Sequence, residues 1–359
     1  MRTFKLYIRW CAGRTLRQLR EQFVMQNSQE KTEGFLFAIK EFASSINASK
    51  NGVGDMSSLI EATSKVKLES IVYWERLIRE EFENALNNSA PSKWKQWLKP
   101  KRKSPWLDII SSNGYERESS LRSLSGGAPN AFFLALVIRR LNDWVPQVRK
   151  ATREVLPSII RNTAPEYVAE ILSTILLSWD SWGRIEKEDR QLLLRIIDTE
   201  DLAIPLRSKL ISSVSGPMPS LFSQLGRTSV LDNYLDEIAD KAIQPHIRAK
   251  AFRSMFEKRI FWIEGREWQW TDKAYGERKL VPLIGERKIE VQTPLRELLN
   301  RSAADRSAIV RQVSAEFVIR NIVTLDNEAK AFAEKFAADR SRRVSEQGKF
   351  ILKKLKEKT

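Results

Sequence analysis

Apolar residues in this chain recur mostly every three to four positions, the spacing that gives a helix one buried stripe. Leu16, Leu19, Phe23 and Val24 follow it, with Arg14, Arg17 and Arg20 on another face. Phe35, Phe37, Ile39 and Phe42 predict a helix over 33–46, and Ile71, Trp74, Leu77, Ile78 and Phe82 a long one over 57–86. The stretch 47–55 between them is rich in Asn, Gly and Ser and reads as a loop. The pattern changes in two places. Phe4, Leu6, Ile8 and Trp10 alternate with polar or aromatic neighbours, which suits a strand or a short helix. Alternation returns over 279–292, around Gly285-Glu286, and predicts a small hairpin.

From Trp106 onward the helical pattern acquires a longer period. An arginine is followed by a small or middling residue three positions on and an apolar one seven positions on. Arg117, Arg149, Arg207, Arg248 and Arg311 head such units, and Arg343 heads the weakest. Their spacings are 32, 58, 41, 63 and 32 residues. A unit of about 30 residues, sometimes doubled or interrupted, is the signature of stacked helical hairpins, none of which buries its apolar stripe alone. Segments 176–185 and 261–293 interrupt the array, and the basic helix 339–358 suits a terminal unit with a polar outer face. The expected division is a basic helical N-terminal region, 1–105, followed by the repeats, 106–359.

The clearest copy, DWVPQVRKATREVL (143–156), resembles the second helix of a HEAT repeat. That resemblance implies an all-α solenoid of stacked helical hairpins. It also implies that an aspartate and an arginine link neighbouring repeats in a ladder. Asp143 with Arg149 and Asp305 with Arg311 match that pattern, while Arg117 and Arg248 lack an aspartate at the same offset. Arg207 and Arg248 are placed with these as structural repeat residues. The resemblance implies architecture more than activity, because one fold carries many functions.

Composition narrows the chemistry. The 359 residues carry 61 Lys+Arg against 45 Asp+Glu, a formal net charge of +16. Such an excess favours polyanionic partners. Residues 1–106 hold 19 basic and 11 acidic residues, a net +8, half the excess in under a third of the chain. One cysteine, Cys11, and one histidine, His246, leave no disulfide framework and too few ligands for a Cys/His zinc site. No metal or cofactor is expected, and the single cysteine fits a reducing cytoplasm. Cys11 reads as buried packing, and His246, after Pro245, as a capping or surface residue. No window approaches the apolar length of a membrane span. The arginine-rich start of the chain reads as part of the fold. The composition and repeats suggest a bacterial protein working within a multi-component system.

Three stretches break the repeat and draw the functional search. KWKQWLKPKRKSPW (93–106) has six basic residues, three tryptophans and no acid. Lys93, Lys95, Lys99, Lys101, Arg102 and Lys103 would neutralise phosphates, and Trp94 and Trp97 would stack on bases or anchor the linker. Trp262, Trp268, Trp270 and Tyr275 form an aromatic cluster of the kind that dominates protein–protein hot spots. Trp179-Asp180-Ser181-Trp182 resembles the Trp-Asp stretch of HEAT-like DNA glycosylases. In that resemblance Trp179 and Trp182 hold a cationic alkylated base and Asp180 stabilises the oxocarbenium-like sugar. The favoured expectation is a non-catalytic HEAT-repeat scaffold that binds nucleic-acid backbone, most readily DNA, and/or a protein partner. The glycosylase and a pure protein–protein adaptor are the alternatives.

Overall fold

A computed structural model describes residues 32–49, 52–88 and 104–357. The alternating stretch 4–10, Cys11 and the basic candidates Lys93 to Lys103 lie outside the described residues. The chain is mostly helical with one two-stranded antiparallel sheet, and it divides into two compact units, Met1–Tyr167 and Val168–Thr359. The division expected near 103–105 falls inside the first unit. Among the described residues no helix is long and apolar enough to cross a membrane.

The first unit contains α1 (32–48), α2 (Ser57–Ser64), α3 (Ile71–Asn88), α4 (Pro105–Asp108), α5 (Gly114–Ser123), α6 (Ala131–Arg139) and α7 (Pro146–Arg161). The helix read over 57–86 is two helices. Thr63 Oγ bonds back to the Leu59 carbonyl at 2.7 Å and Ser64 Oγ to that of Glu61 at 2.7 Å. Such side chains compete with the backbone ladder, and Lys67 is extended where the chain restarts. α6 has eight successive buried residues, Ala131 to Ile138, as expected of a helix apolar all round. Phe132 and Phe133 in α6 pack with Phe35 and Trp106. Asn130 caps α6 by accepting from the Phe133 amide, and its own amide donates to the Ile60 carbonyl, tying α6 to α2. The stretch 143–145 is not helical. Asp143 and Val145 are extended, and α7 begins at Pro146, whose missing N–H costs nothing there.

α8 (Pro165–Leu176) crosses the division. The second unit continues with α9 (Lys187–Ile197), α10 (Glu200–Ser212), α11 (Met218–Leu225), α12 (Leu235–Lys241), α13 (Pro245–Glu257), β1 (Arg259–Asp272), β2 (Glu277–Lys288), α14 (Leu295–Ala303), α15 (Ala308–Arg320), α16 (Ile322–Ala337) and α17 (Arg342–Lys356). α13, α15 and α17 pack side by side, and each also packs on the helix before it. The stacked rings of Phe252, Phe256 and Phe317 fill the seam between α13 and α15. Gly348 marks a close approach of α17 to α16, since a Cβ there would lie 2.2 Å from the Ala337 amide nitrogen.

Two expectations about interruptions need correction. Segment 176–185 is a short connection with one 3-10 turn, Trp179–Ser181, between regular helices. The hairpin is longer than expected and turns elsewhere. β1 pairs with β2 from Arg259↔Lys288 to Asp272↔Glu277, so Gly285 and Glu286 lie within β2, opposite Trp262 and Phe261. The turn is 273–276. Asp272 Oδ1 accepts from the Ala274 and Tyr275 amides, and Gly276 takes a φ of +69°.

Candidate interaction site

The repeated arginines form a recurring buried bond pattern. Arg117, Arg149, Arg248 and Arg311 are each the fourth residue of their helix. Arg117 donates through Nε and Nη2 to the two carboxylate oxygens of Asp143 at 3.0 and 2.9 Å. Arg248 binds Asp305 in the same way at 2.8 and 2.9 Å, and Arg311 binds Asp339 at 2.6 and 2.8 Å. In each case Nη1 donates to the carbonyl six residues earlier, at Ser111, Ala242 and Asp305 respectively. Each aspartate also receives the amide two residues on, from Val145, Ser307 or Ser341. The bidentate fork and the turn thus satisfy one another.

The geometry differs from the sequence pairing in three respects. The Asp143 carboxylate holds Arg117, whereas Arg149 donates to the Asp143 carbonyl, at 2.9 Å. Arg207 is the eighth residue of α10 and pairs with Glu237 at 3.1 Å, its guanidinium over the Tyr234 ring. After Asp339 the fourth helical position is Ser345, so Arg343 is out of register with the others. In the first unit the pair widens into a network. Arg140 bonds both Asp143, at 3.2 Å, and Glu75, which also receives Arg139 at 2.9 Å. Burial pushes the Glu75 carboxyl up, but the Arg140 and Arg139 charges overcome this and hold it below the usual range.

The Arg311–Asp339 pair gives the fold an acid limit. Hydrogen bonds from Arg311 hold the Asp339 carboxyl below its ordinary value, against partial burial. A depressed folded pKa stabilises the fold fully above the unfolded pKa of about 3.9, and the contribution is lost as pH falls through the folded value. Thermal stability should therefore stay level between neutral pH and about pH 5, then fall below about pH 4. Asp339→Asn should start lower and lose less on acidification. An unfolding midpoint equally acid-sensitive in both proteins would contradict this assignment.

The Trp-Asp stretch is arranged as packing. Trp179 is fully buried, and the guanidinium of Arg190 lies 5.5 Å and that of Arg227 5.1 Å from its ring centre. Asp180 is exposed and pairs with Arg190 at 3.1 Å. Trp182 is half-buried and Trp179 has no open face on which a base would stack. Arg227 also lies over Trp262 at 5.6 Å and donates to the Ile263 carbonyl at 3.0 Å. Burial pulls its guanidinium below the usual value, against the Asp180 and Glu264 charges. The stretch therefore seats the base of the hairpin. His246 is an exposed residue in the first turn of α13.

The hairpin base is firmly held. Ile260 is buried against Gly226, where a Cβ would lie 2.2 Å from its side chain. Arg287 binds both Asp232 oxygens at 2.7 and 2.8 Å and the Thr228 carbonyl at 2.7 Å. Trp262 lies against Gly285 on the same face. Beyond a bulge between Ile263 and Gly265 the strands leave this support. The opposite face carries Ile263 beside Ile284, Arg266 beside Pro282, Trp268 beside Leu280 and Trp270 beside Arg278. Trp268 is 57% exposed, Trp270 53% and Ile284 65%, and Tyr275 at the turn is exposed as well. The Arg278 guanidinium sits 4.6 Å from the Trp268 ring centre. A contiguous, largely apolar strip of this kind on a two-stranded sheet is a candidate interaction surface, since such a hairpin is marginal unless covered.

Of the expected aromatic cluster, the structure places Trp268 and Trp270 together on this strip, Trp262 inward at the base and Tyr275 at the tip. Ile263, Arg266, Arg278, Leu280 and Ile284 complete the strip. Their signal was the short alternation Trp268-Gln269-Trp270 beside the apolar run Ile260–Ile263. Comparison with known proteins finds no matching family model, no matching curated protein and no matching solved structure.

Proposed function

We propose that this protein is a non-catalytic scaffold of HEAT-like stacked helical pairs that docks a protein partner through the outward face of its hairpin. Its basic excess adds a sequence-independent attraction for nucleic-acid backbone. The observation that carries the docking reading is the exposed strip from Ile263 to Trp270, with rigid aromatic anchors on a base fixed by Arg287 and Ile260. Trp and Arg at the centre of an apolar patch are the residues that carry binding energy at interfaces. The HEAT-like reading is supported by the Arg–Asp pairing between alternate helices, which matches the ladder that the resemblance implies. Such scaffolds suit a bacterial multi-component system, in which one body positions several partners.

A photo-crosslinking residue at Trp270 tests the docking reading in the cell of origin. The expected product is a discrete adduct with one protein, lost when Trp268 is replaced by serine. Diffuse adducts unaffected by that change would overturn it. The backbone attraction has its own test. Duplex and single-stranded DNA should both bind at low salt without sequence preference, and log affinity should fall linearly with log salt, because each phosphate contact releases counterions. No binding at low salt would remove nucleic acid from the proposal.

A further inference from the structure

The hairpin strip also indicates the chemistry of its partner, an inference that rests on the docking reading above. We infer that the strip binds an acidic segment of a protein, in which apolar side chains are bracketed by carboxylates. Trp268 and Trp270 are the apolar anchors, and Arg266 and Arg278 read the charge.

The argument begins with the two arginines. Among the described residues nearly every arginine near a core is matched, as Arg287 is by Asp232 and Arg259 by Glu286 at the hairpin base. Arg266 and Arg278 stand on the apolar face beside Pro282 and Trp270, and neither meets a carboxylate. Arg278 is held over the Trp268 ring, so its charge is fixed at the strip. A fixed cation within an apolar patch disfavours neutral partners and selects anionic ones, because desolvating it unpaired is costly.

Three other occupants fit less well. A strand added along β2 would need a continuous row of amide donors, and Pro282 interrupts that row; proline within a sheet is confined to open edges for this reason. The exposed tryptophans and arginines stand on the face of the sheet, which is the surface assigned to recognition. A second copy of the chain would bring Arg266 and Arg278 onto like charges, between bodies that each carry +16. A nucleic-acid strand would gain from the tryptophans but not from Ile263, Leu280 and Ile284.

The test is selection of a random-peptide display library on the full chain. Enriched peptides should combine large apolar residues with Asp and Glu. Their affinity should fall by about tenfold or more in the Trp268→Ser, Trp270→Ser double variant. Selection on the Arg266→Glu, Arg278→Glu double variant should instead enrich Lys and Arg. All four substitutions are at exposed positions, and matching thermal unfolding curves verify that the fold is kept. Enrichment that needs the tryptophans but shows no acidic bias, or ignores the charge reversal, overturns this inference and leaves the docking reading intact. Enrichment indifferent to the tryptophans overturns both. Binding of oligo-thymidine that is lost in the tryptophan variant would assign the strip to nucleic acid. A sedimenting dimer lost in the same variant would assign it to a second copy. Either result overturns the inference.

Discussion

Arg248→Ala should lower the stability of the second unit by about 3–5 kcal/mol. Arg248 is 1% exposed and donates to both oxygens of Asp305 and to the carbonyls of Ala242 and Ile243. Alanine removes the charge and leaves the Asp305 carboxylate, itself largely buried, with only the Ser307 amide still bonded to it and the Arg311 guanidinium, held on the Asp305 carbonyl, as the nearby charge. Breaking one half of a buried pair is the costly change, because the other half stays desolvated and uncompensated. In a unit of this size the loss corresponds to a fall in Tm of roughly 10 °C. The double change Arg248→Met, Asp305→Leu should recover part of it, since no unpaired charge remains. Recovery will be incomplete, because the two carbonyls still lack their donor. Arg342→Ala, at an exposed helix position, should leave Tm unchanged. Thermal unfolding followed by circular dichroism separates these cases. A loss under about 1 kcal/mol for Arg248→Ala would mean that the pair does not hold the helices together.

The second large effect is on binding alone. Trp268→Ala and Trp270→Ala should each weaken partner affinity by about 2 kcal/mol or more while leaving Tm within a degree or two of the parent. Both side chains are more than half exposed and neither belongs to the packed base. Trp262→Ala should act in the opposite way. Its ring covers Gly285 and meets Arg227, so its loss should loosen the hairpin base and lower stability. Titration of the crosslinked partner, alongside unfolding curves, distinguishes the two kinds of tryptophan. Equal stability losses at all three would show that the strip is packing.

How much of this was readable in the sequence depends on the range of the interaction. The arginines announced themselves, because a helix repeats its needs at fixed positions and the fourth residue of a helix is a local property. Their partners did not, because Asp143, Asp305 and Asp339 follow their arginines by 26, 57 and 28 residues. Spacing within one helix pointed instead to Asp143 with Arg149, which share a backbone bond and not the carboxylate. Arg207 satisfied the same side-chain template from the middle of its helix, where no turn carbonyl is within reach.

The hairpin failed locally for a different reason. Glycine signals both turns and close approaches, and Gly285 serves the second purpose, lying beneath the Trp262 ring. The true turn, with Asp272 and Gly276, carried an equally ordinary signal. Trp179 illustrates the remaining limit. A tryptophan beside an aspartate reads as a ligand cage in a sequence, and only the arginines from α9 and the loop after α11 show that its surface is already occupied.

The bond between Arg248 and Asp305 closes over the whole hairpin, which is inserted in the interval between them. The helices on either side are therefore joined without reference to what the insertion contains. Cutting residues 264–283 back to a short turn changes the loop-closure entropy by only a fraction of a kcal/mol. It leaves Ile260, Arg287 and the Arg248–Asp305 pair in place. The outer hairpin is thus an exchangeable cassette on a closed frame. Its sequence is free to diverge, or to be redesigned, without renegotiating the core beneath it.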